Sequence, residues 1–325
     1  MAKAFSAAPD ERIFKLFAAL NAAGYDDEWN SGGMHPVRQE VRQKLKGYSP
    51  PWLPKLREVL SHTHQWILVF WVLNHDKDDQ TVCVGQDLGE YIRTHWERVD
   101  DGDQKREWFK QFLSDLPGLM CSIMADPFLK QLWEDYRSSH VAEALAYEEV
   151  AVQGIETLEA YLRPKTEPDW SVVFVPNLLD SYATGYEVDA ISVVYVVQGP
   201  SQSRGPGAVI HEYCHRLVNP VVNAQADLLR ETAHLLAKYA NPDDPMHRPY
   251  LEWGTFVAEN LVEAVTLRTR RSEPEIYERT LRHIVEVRHL TLVEKFLDPL
   301  VEFENSGAHY EDFFPEMLRR VLRAL

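Results

Sequence analysis

Val209-Ile210-His211-Glu212-Tyr213-Cys214-His215-Arg216-Leu217 is the stretch from which the rest of this sequence can be read. Its centre is His-Glu-x-x-His. On an α-helix, residues four apart lie on one face, so His211 and His215 can offer two imidazole nitrogens to a single Zn²⁺. Glu212 lies about 100° round the helix from His211. From there its carboxylate can reach a metal-activated water without ligating the metal, take its proton as general base and pass it to a leaving amine. Ala208, Val209, Ile210, Leu217 and Val218 make the flanks apolar, as a buried helix requires. Gly205-Pro206-Gly207 reads as the helix start and Asn219-Pro220 as its stop. Cys214 reads as a small buried core residue rather than a ligand.

The chain has 325 residues, enough to bury a sizeable core in one large domain or two closely packed ones. Its 34 basic and 50 acidic side chains leave a formal charge of −16. Such a surface repels phosphate backbones and anionic lipid, so neither nucleic acid nor a membrane is expected as a partner. Cys83, Cys121 and Cys214 are odd in number and have no motif spacing, so no disulfide framework is expected. Trp66 to Leu73 is apolar but too short to span a bilayer, and Met1 to Ala8 has no apolar run suited to a signal peptide. The expected location is cytoplasmic.

Residues 1–163 read as a helical N-terminal region packed on a catalytic region, 164–325. Helical spacing is expected over Pro9–Ala23 with Gly24 as stop, then over Pro36–Lys46, Pro51–Leu60, Gln65–Asn74, Leu88–Trp96 and Lys105–Leu113. A longer run, Pro127–Leu162, carries expected interruptions at Ser138-Ser139 and Gly154. Trp170–Pro176 and Ile191–Val197 are rich in β-branched and aromatic residues and read as strands, separated by a polar loop from Asp180 to Asp189. The second of these is a candidate edge strand along which an extended peptide can lie. Helices follow over Val221–Tyr239, Tyr250–Arg270, Pro274–Phe303 and Phe314–Leu325. The expected class is α+β, predominantly helical, with a small β-sheet beside the His-Glu-x-x-His helix.

A catalytic zinc site needs a third protein ligand and one open position. Val218 and Val221 stand where a three-histidine motif has Gly and His, so a glutamate from a later helix is the alternative. Glu259 and Glu263 share one face of the Tyr250–Arg270 segment and are flanked by Phe256, Val257, Leu261 and Val262. A carboxylate on a packed helix needs a partner, and a metal is a strong one. Glu259 is the expected ligand. Glu263 can accept a hydrogen bond from a ring N–H of His211 or His215 and fix its orientation; Glu252 is a weaker ligand candidate. Donors to a developing oxyanion are sought among His247, Tyr250, Tyr182 and Tyr186, with His247 and Tyr250 preferred. The remaining histidines, among them His140 and His289, read as ordinary core or surface residues.

His211-Glu212-x-x-His215 followed by Glu259-x-x-x-Glu263 resembles the glutamate-zincin (gluzincin) metallopeptidases. The run from His211 to Pro220, with Glu259-Asn260-Leu261-Val262, is also similar to a bacterial family of uncharacterised zincin-like domains. The resemblance implies a zincin-like core, one Zn²⁺ per chain held by His211, His215 and Glu259, Glu212 as general base, and a peptide or protein substrate. The gap from His215 to Glu259 is longer than in the compact members of that group, the second acid is Glu where Asp is usual, and no Gly-x-Met-x-Asn exopeptidase motif is present. The competing reading is a non-catalytic binding or scaffold protein on the same fold, its zinc structural or lost.

Overall fold

A computed structural model describes residues 5–25, 33–62, 64–74, 114–166, 169–182, 184–190, 192–202, 204–244, 247, 250 and 252–325. The helices expected over Leu88–Trp96 and Lys105–Leu113 lie outside these residues. The fold is mostly helical with one small mixed sheet, an α+β arrangement. Among the described residues, no helix is long and apolar enough to cross a membrane. The chain packs as two compact units, residues 1–151 with 170–205 and residues 152–169 with 206–325.

In the first unit, α1 (Glu11–Ala23) begins at Asp10, whose carboxylate accepts from the Arg12 amide, and ends at Gly24 with φ +101°. Gly24 N–H bonds to Asn21 O and Tyr25 N–H to Leu20 O, the paired bonds of a Schellman cap that only a residue free to adopt positive φ completes cheaply. Ile13, Phe14, Leu16, Phe17 and Leu20 are buried with α2 (Pro36–Lys44), α3 (Leu53–Leu60) and α4 (Gln65–Leu73) supplying neighbours. α5 (Pro127–Leu162) runs without a break across both positions expected to interrupt it. Its buried residues explain why: Leu129, Leu132, Trp133, Tyr136, His140, Ala144, Tyr147, Ala151, Ile155 and Leu158 keep helical spacing throughout. At Gly154 a Cβ would stand 3.3 Å from Pro206, so the glycine serves close packing against the approach to the next helix.

The sheet has the order β1-β2-β4-β3, with β1 (Phe5–Ala7), β2 (Ser171–Pro176), β3 (Gly185–Ala190) and β4 (Val193–Gln198). β1–β2 and β2–β4 are parallel; β3 runs antiparallel to β4. Two expectations are corrected here. The segment at 185–190, expected as loop, is a strand whose Tyr186 and Val188 point inward while Glu187 and Asp189 alternate with them. It takes the edge, so the strand expected there, β4, is central. Val194, Val196 and Val197 are fully buried, as a strand covered on both faces requires. The expected division at 163/164 also differs from the packing. Val175, Leu179, Tyr186, Val188 and Val197 share a core with Phe17, Leu20 and Leu68, so the sheet belongs to the unit of the N-terminal helices.

A buried polar network crosses this core. Arg38, fully buried, donates to Asn21 Oδ1 (2.9 Å) and to the Tyr25 carbonyl (3.2 Å). Asp180 accepts from Tyr25 OH (2.6 Å) and from the Ser181 amide (2.7 Å). Burial raises the Asp180 carboxyl to about 6, against the opposing pull of those bonds and of Arg38. His140 is held the other way: burial lowers it to about 4, with Nδ1 bonded to Tyr136 O (3.1 Å) and Nε2 accepting from the Leu178 amide (3.4 Å).

These two shifts oppose each other in folding. Asp180 contributes stability that is complete below its unfolded value and is lost as pH rises to about 6. His140 favours the folded state above its unfolded value and loses that contribution as pH falls to about 4. Urea unfolding at pH 4, 5 and 6 is therefore expected to separate them. Relative to wild type, Asp180→Asn gains stability with rising pH and His140→Gln loses it, each by at most about 1.4 kcal/mol per pH unit.

Candidate metal centre

The second unit is built round α9 (Trp253–Thr269), preceded by α6 (Gly207–Asn223), α7 (Ala226–Thr232), a 3-10 turn (Ala233–Leu235) and α8 (Leu236–Tyr239). It is followed by α10 (Pro274–Arg282), a π-helical turn (His283–Val287), α11 (Val293–Ser306) and α12 (Tyr310–Ala324). α9 is buried along most of its length. Phe256, Val257, Leu261, Val262, Ala264, Val265 and Leu267 are fully buried, which is the pattern of a helix enclosed on every side. It packs against α6, α11, α10 and α7. Asn260 ties it to the start of α11 by accepting from the Val293 amide (3.0 Å). α6 is tied to the end of α5 by Tyr213 OH donating to Glu159 (2.7 Å).

Where α6 crosses α9, His211, His215 and Glu259 converge, with their ligand atoms within 4.8 Å of one another. His211 Nε2 lies 3.3 Å from His215 Nε2. Glu259 presents Oε2 to His215 Nε2 at 3.3 Å and Oε1 to His211 Nε2 at 3.7 Å. Ligands roughly 2.0–2.2 Å from a tetrahedral metal stand about 3.4 Å apart, so the donor set fits one. Its chemistry fits as well: two imidazoles and one carboxylate leave a fourth position open.

The electrostatics suit ligation. Burial lowers His211 to about 3, with His215 and Arg288 adding to the effect and Glu259 opposing it, so its ring is neutral at neutral pH. Burial by itself would raise the Glu259 carboxyl; the hydrogen bond from His215 and the charge of Arg288 outweigh it and hold it well below the ordinary range. His215 Nδ1 lies 3.3 Å from Asn219 Oδ1, one turn further along α6. The helix does not stop at Asn219-Pro220 as expected. It continues to Asn223, and the Ala224 amide bonds back to Pro220 O. Asn219 thus stays on the face of His215, where it can orient the ring.

The other expected residues divide. Tyr250 joins the cluster, its hydroxyl donating to Glu259 Oε1 (3.1 Å). Burial raises it well above the usual phenol range, with the charges of Glu259 and Glu212 adding, so it stays a proton donor. Glu212 is half-buried on α6 beside His211. Glu263 lies 3.6 Å from His211 Nδ1, too far for the hydrogen bond expected of it, and bonds to Arg288 instead. His247 cannot serve as an oxyanion donor in this arrangement. Its Nδ1 accepts from the Asn241 amide (2.9 Å) and its Nε2 donates to His289 O (3.1 Å), so both ring nitrogens are committed to the backbone. Glu252 precedes α9 and accepts from Thr255. Tyr186 belongs to the core of the first unit, and Tyr182 lies half-buried in the same unit. Cys214 is fully buried, and burial raises its thiol well above the usual range.

Sequence reasoning missed Arg288. Its Nη2 donates to Glu259 Oε1 (2.7 Å) and approaches Tyr250 OH (3.2 Å), while Nη1 donates to Glu263. The only available signal was indirect: two carboxylates on an otherwise apolar helix demand a cation.

No family model, no curated protein and no solved structure matches this chain.

Loss of an outer partner of a metal-ligating histidine typically weakens binding about 10- to 100-fold. Asn219→Ala is expected to do so for a divalent metal, measured by competition with a chromogenic chelator, and Asn219→Asp to recover most of the loss.

Proposed function

We propose that this chain is a zinc-dependent hydrolase of peptide or other amide bonds, a metallopeptidase of the glutamate-zincin kind on a zincin-like core. The observation that carries the reading is the convergence of His211, His215 and Glu259 from two crossing helices, with Glu212 next in sequence to one of them. A purely structural site would have no use for that carboxylate. In this reading His211, His215 and Glu259 hold one zinc ion per chain. Zinc so held supplies Lewis acidity, polarising a scissile carbonyl and acidifying a water molecule.

Glu212 accepts the proton of the attacking water and delivers it to the leaving amine. Tyr250, kept protonated by its surroundings, donates to the carbonyl oxygen as negative charge develops there. The low exposure of Glu259 and the half-buried rings of the two histidines limit competing water. The substrate is a peptide or protein. The net charge of −16 disfavours nucleic acid.

Protein purified without added metal or chelator is expected to carry about one zinc per chain by elemental analysis. Glu259→Ala is expected to lose it. Glu212→Gln is expected to keep the metal while hydrolysis of a quenched peptide library falls at least about 100-fold. A wild-type protein that takes up no zinc even when it is supplied sinks the reading. Hydrolysis unaffected by Glu212→Gln removes the proton transfer assigned to it.

A further inference from the structure

Glu259 and Glu263 stand one turn apart on α9, 3% and 6% exposed. Two carboxylates so placed repel each other and have lost most of their hydration, a combination that a fold tolerates only with a cation at hand. Among the described residues, Arg288 is the only lysine or arginine that pairs with either of them. Its two terminal nitrogens divide between them, one to each acid.

The position of Arg288 is built, not incidental. The chain reaches it through the π-helical turn His283–Val287, and the Arg288 amide bonds to His283 O (3.0 Å), five residues back. π-turns of this kind cluster at functional sites. The next residue, His289, has φ +54°, a left-handed conformation that is costly for a side chain of this type. Two contacts hold it there: His247 Nε2 donates to its carbonyl, and its ring meets Asp244. His247, with both ring nitrogens committed to the backbone, therefore has a use, which is to anchor the segment that delivers the guanidinium.

We propose that Arg288 is the resident counter-cation of the metal centre, balancing Glu259 and Glu263 while the site is empty of metal and competing with a divalent cation for Glu259. The inference rests on the metal reading given above. The competition follows from the oxygens. Oε1 of Glu259, which accepts from Arg288 and Tyr250, is also the oxygen nearest to His211 Nε2. A metal between the two histidines and the guanidinium therefore draw on one carboxylate. Their positive charges also repel each other across a poorly hydrated space, where screening is weak. The site is thus preformed without metal, and its affinity is set lower than the three ligands alone would give.

The test uses full-length protein stripped with chelator, at pH 8, with thermal unfolding measured with and without zinc and zinc affinity measured by competition. Wild type is expected to stay folded without metal. Arg288→Met is expected to melt well below it when stripped, to recover most of the difference with zinc, and to bind zinc at least about tenfold tighter than wild type does. Adding Glu263→Gln to Arg288→Met removes the surplus charge and is expected to restore part of the stripped protein's melting temperature, which a packing role alone would not do.

Equal losses with and without zinc, at unchanged affinity, would make Arg288 a plain structural ion pair and overturn the proposal. So would weaker zinc binding by Arg288→Met, which would make the arginine an orienting group. Should Arg288→Met fail to fold in either condition, Arg288→Lys decides: near-wild-type stability without metal upholds the charge argument, and a collapse as complete as that of the methionine variant rejects it. Wild type that binds no zinc ends the competition and identifies the metal reading as the part at fault; the rescue by Glu263→Gln still tests the charge balance on its own.

Discussion

Burying negative charge inside an apolar helix is the constraint on which the second unit depends. α9 is enclosed by its neighbours along nearly its whole length, yet it carries Glu259 and Glu263 on one face. Its apolar residues can be covered by any well-shaped partner. The two acids cannot, because a buried carboxylate without compensation is among the most expensive groups a fold can hold. α6 answers with two imidazoles, the loop before α9 with a phenol, and the segment after α10 with a guanidinium. Much of the connectivity that surrounds the site can be understood as the means of bringing those four groups to one place.

The same charges link structure to chemistry. A carboxylate held ionised and imidazoles held neutral are the protonation states that ligate a divalent metal, and the surroundings of Glu259 and His211 favour both. Burial keeps Tyr250 in its protonated form, with the acids that it faces adding to the effect. The first unit also buries titrating groups, but there the network of Arg38, Asn21, Tyr25 and Asp180 is closed upon itself by hydrogen bonds. That is how a polar network in a core specifies packing.

The legible parts of the site were those written in local spacing. His211 and His215 are four apart, Glu259 and Glu263 are four apart, and both pairs sit among apolar residues that announce burial. β2 and β4 were legible for a similar reason, since runs of Val, Phe and Tyr suit a pleated, buried surface. β3 was not, because an edge strand needs only two inward residues and its Glu187 and Asp189 read as loop. Arg288 was out of reach for a different reason. It meets its partners 29 and 25 residues away through a backbone irregularity that no periodicity encodes. The grouping of the sheet with the N-terminal helices depends on tertiary contacts, and the change of composition near residue 163 concealed it.

The π-turn before Arg288 has a further meaning in terms of phase. A π-turn is an α-helix carrying one surplus residue, and each residue of an α-helix advances the side chains by about 100°. Removing any single residue from 283–287 would let the segment close as regular helix and swing the guanidinium about a quarter-turn from Glu259 and Glu263. The segment works as a vernier: a change of one residue in its length, at positions outside the His211, His215 and Glu259 cluster, resets the charge felt at the candidate metal centre. Length variation here would be a route by which chains of this architecture diverge in the charge balance around such a cluster while its three residues stay the same.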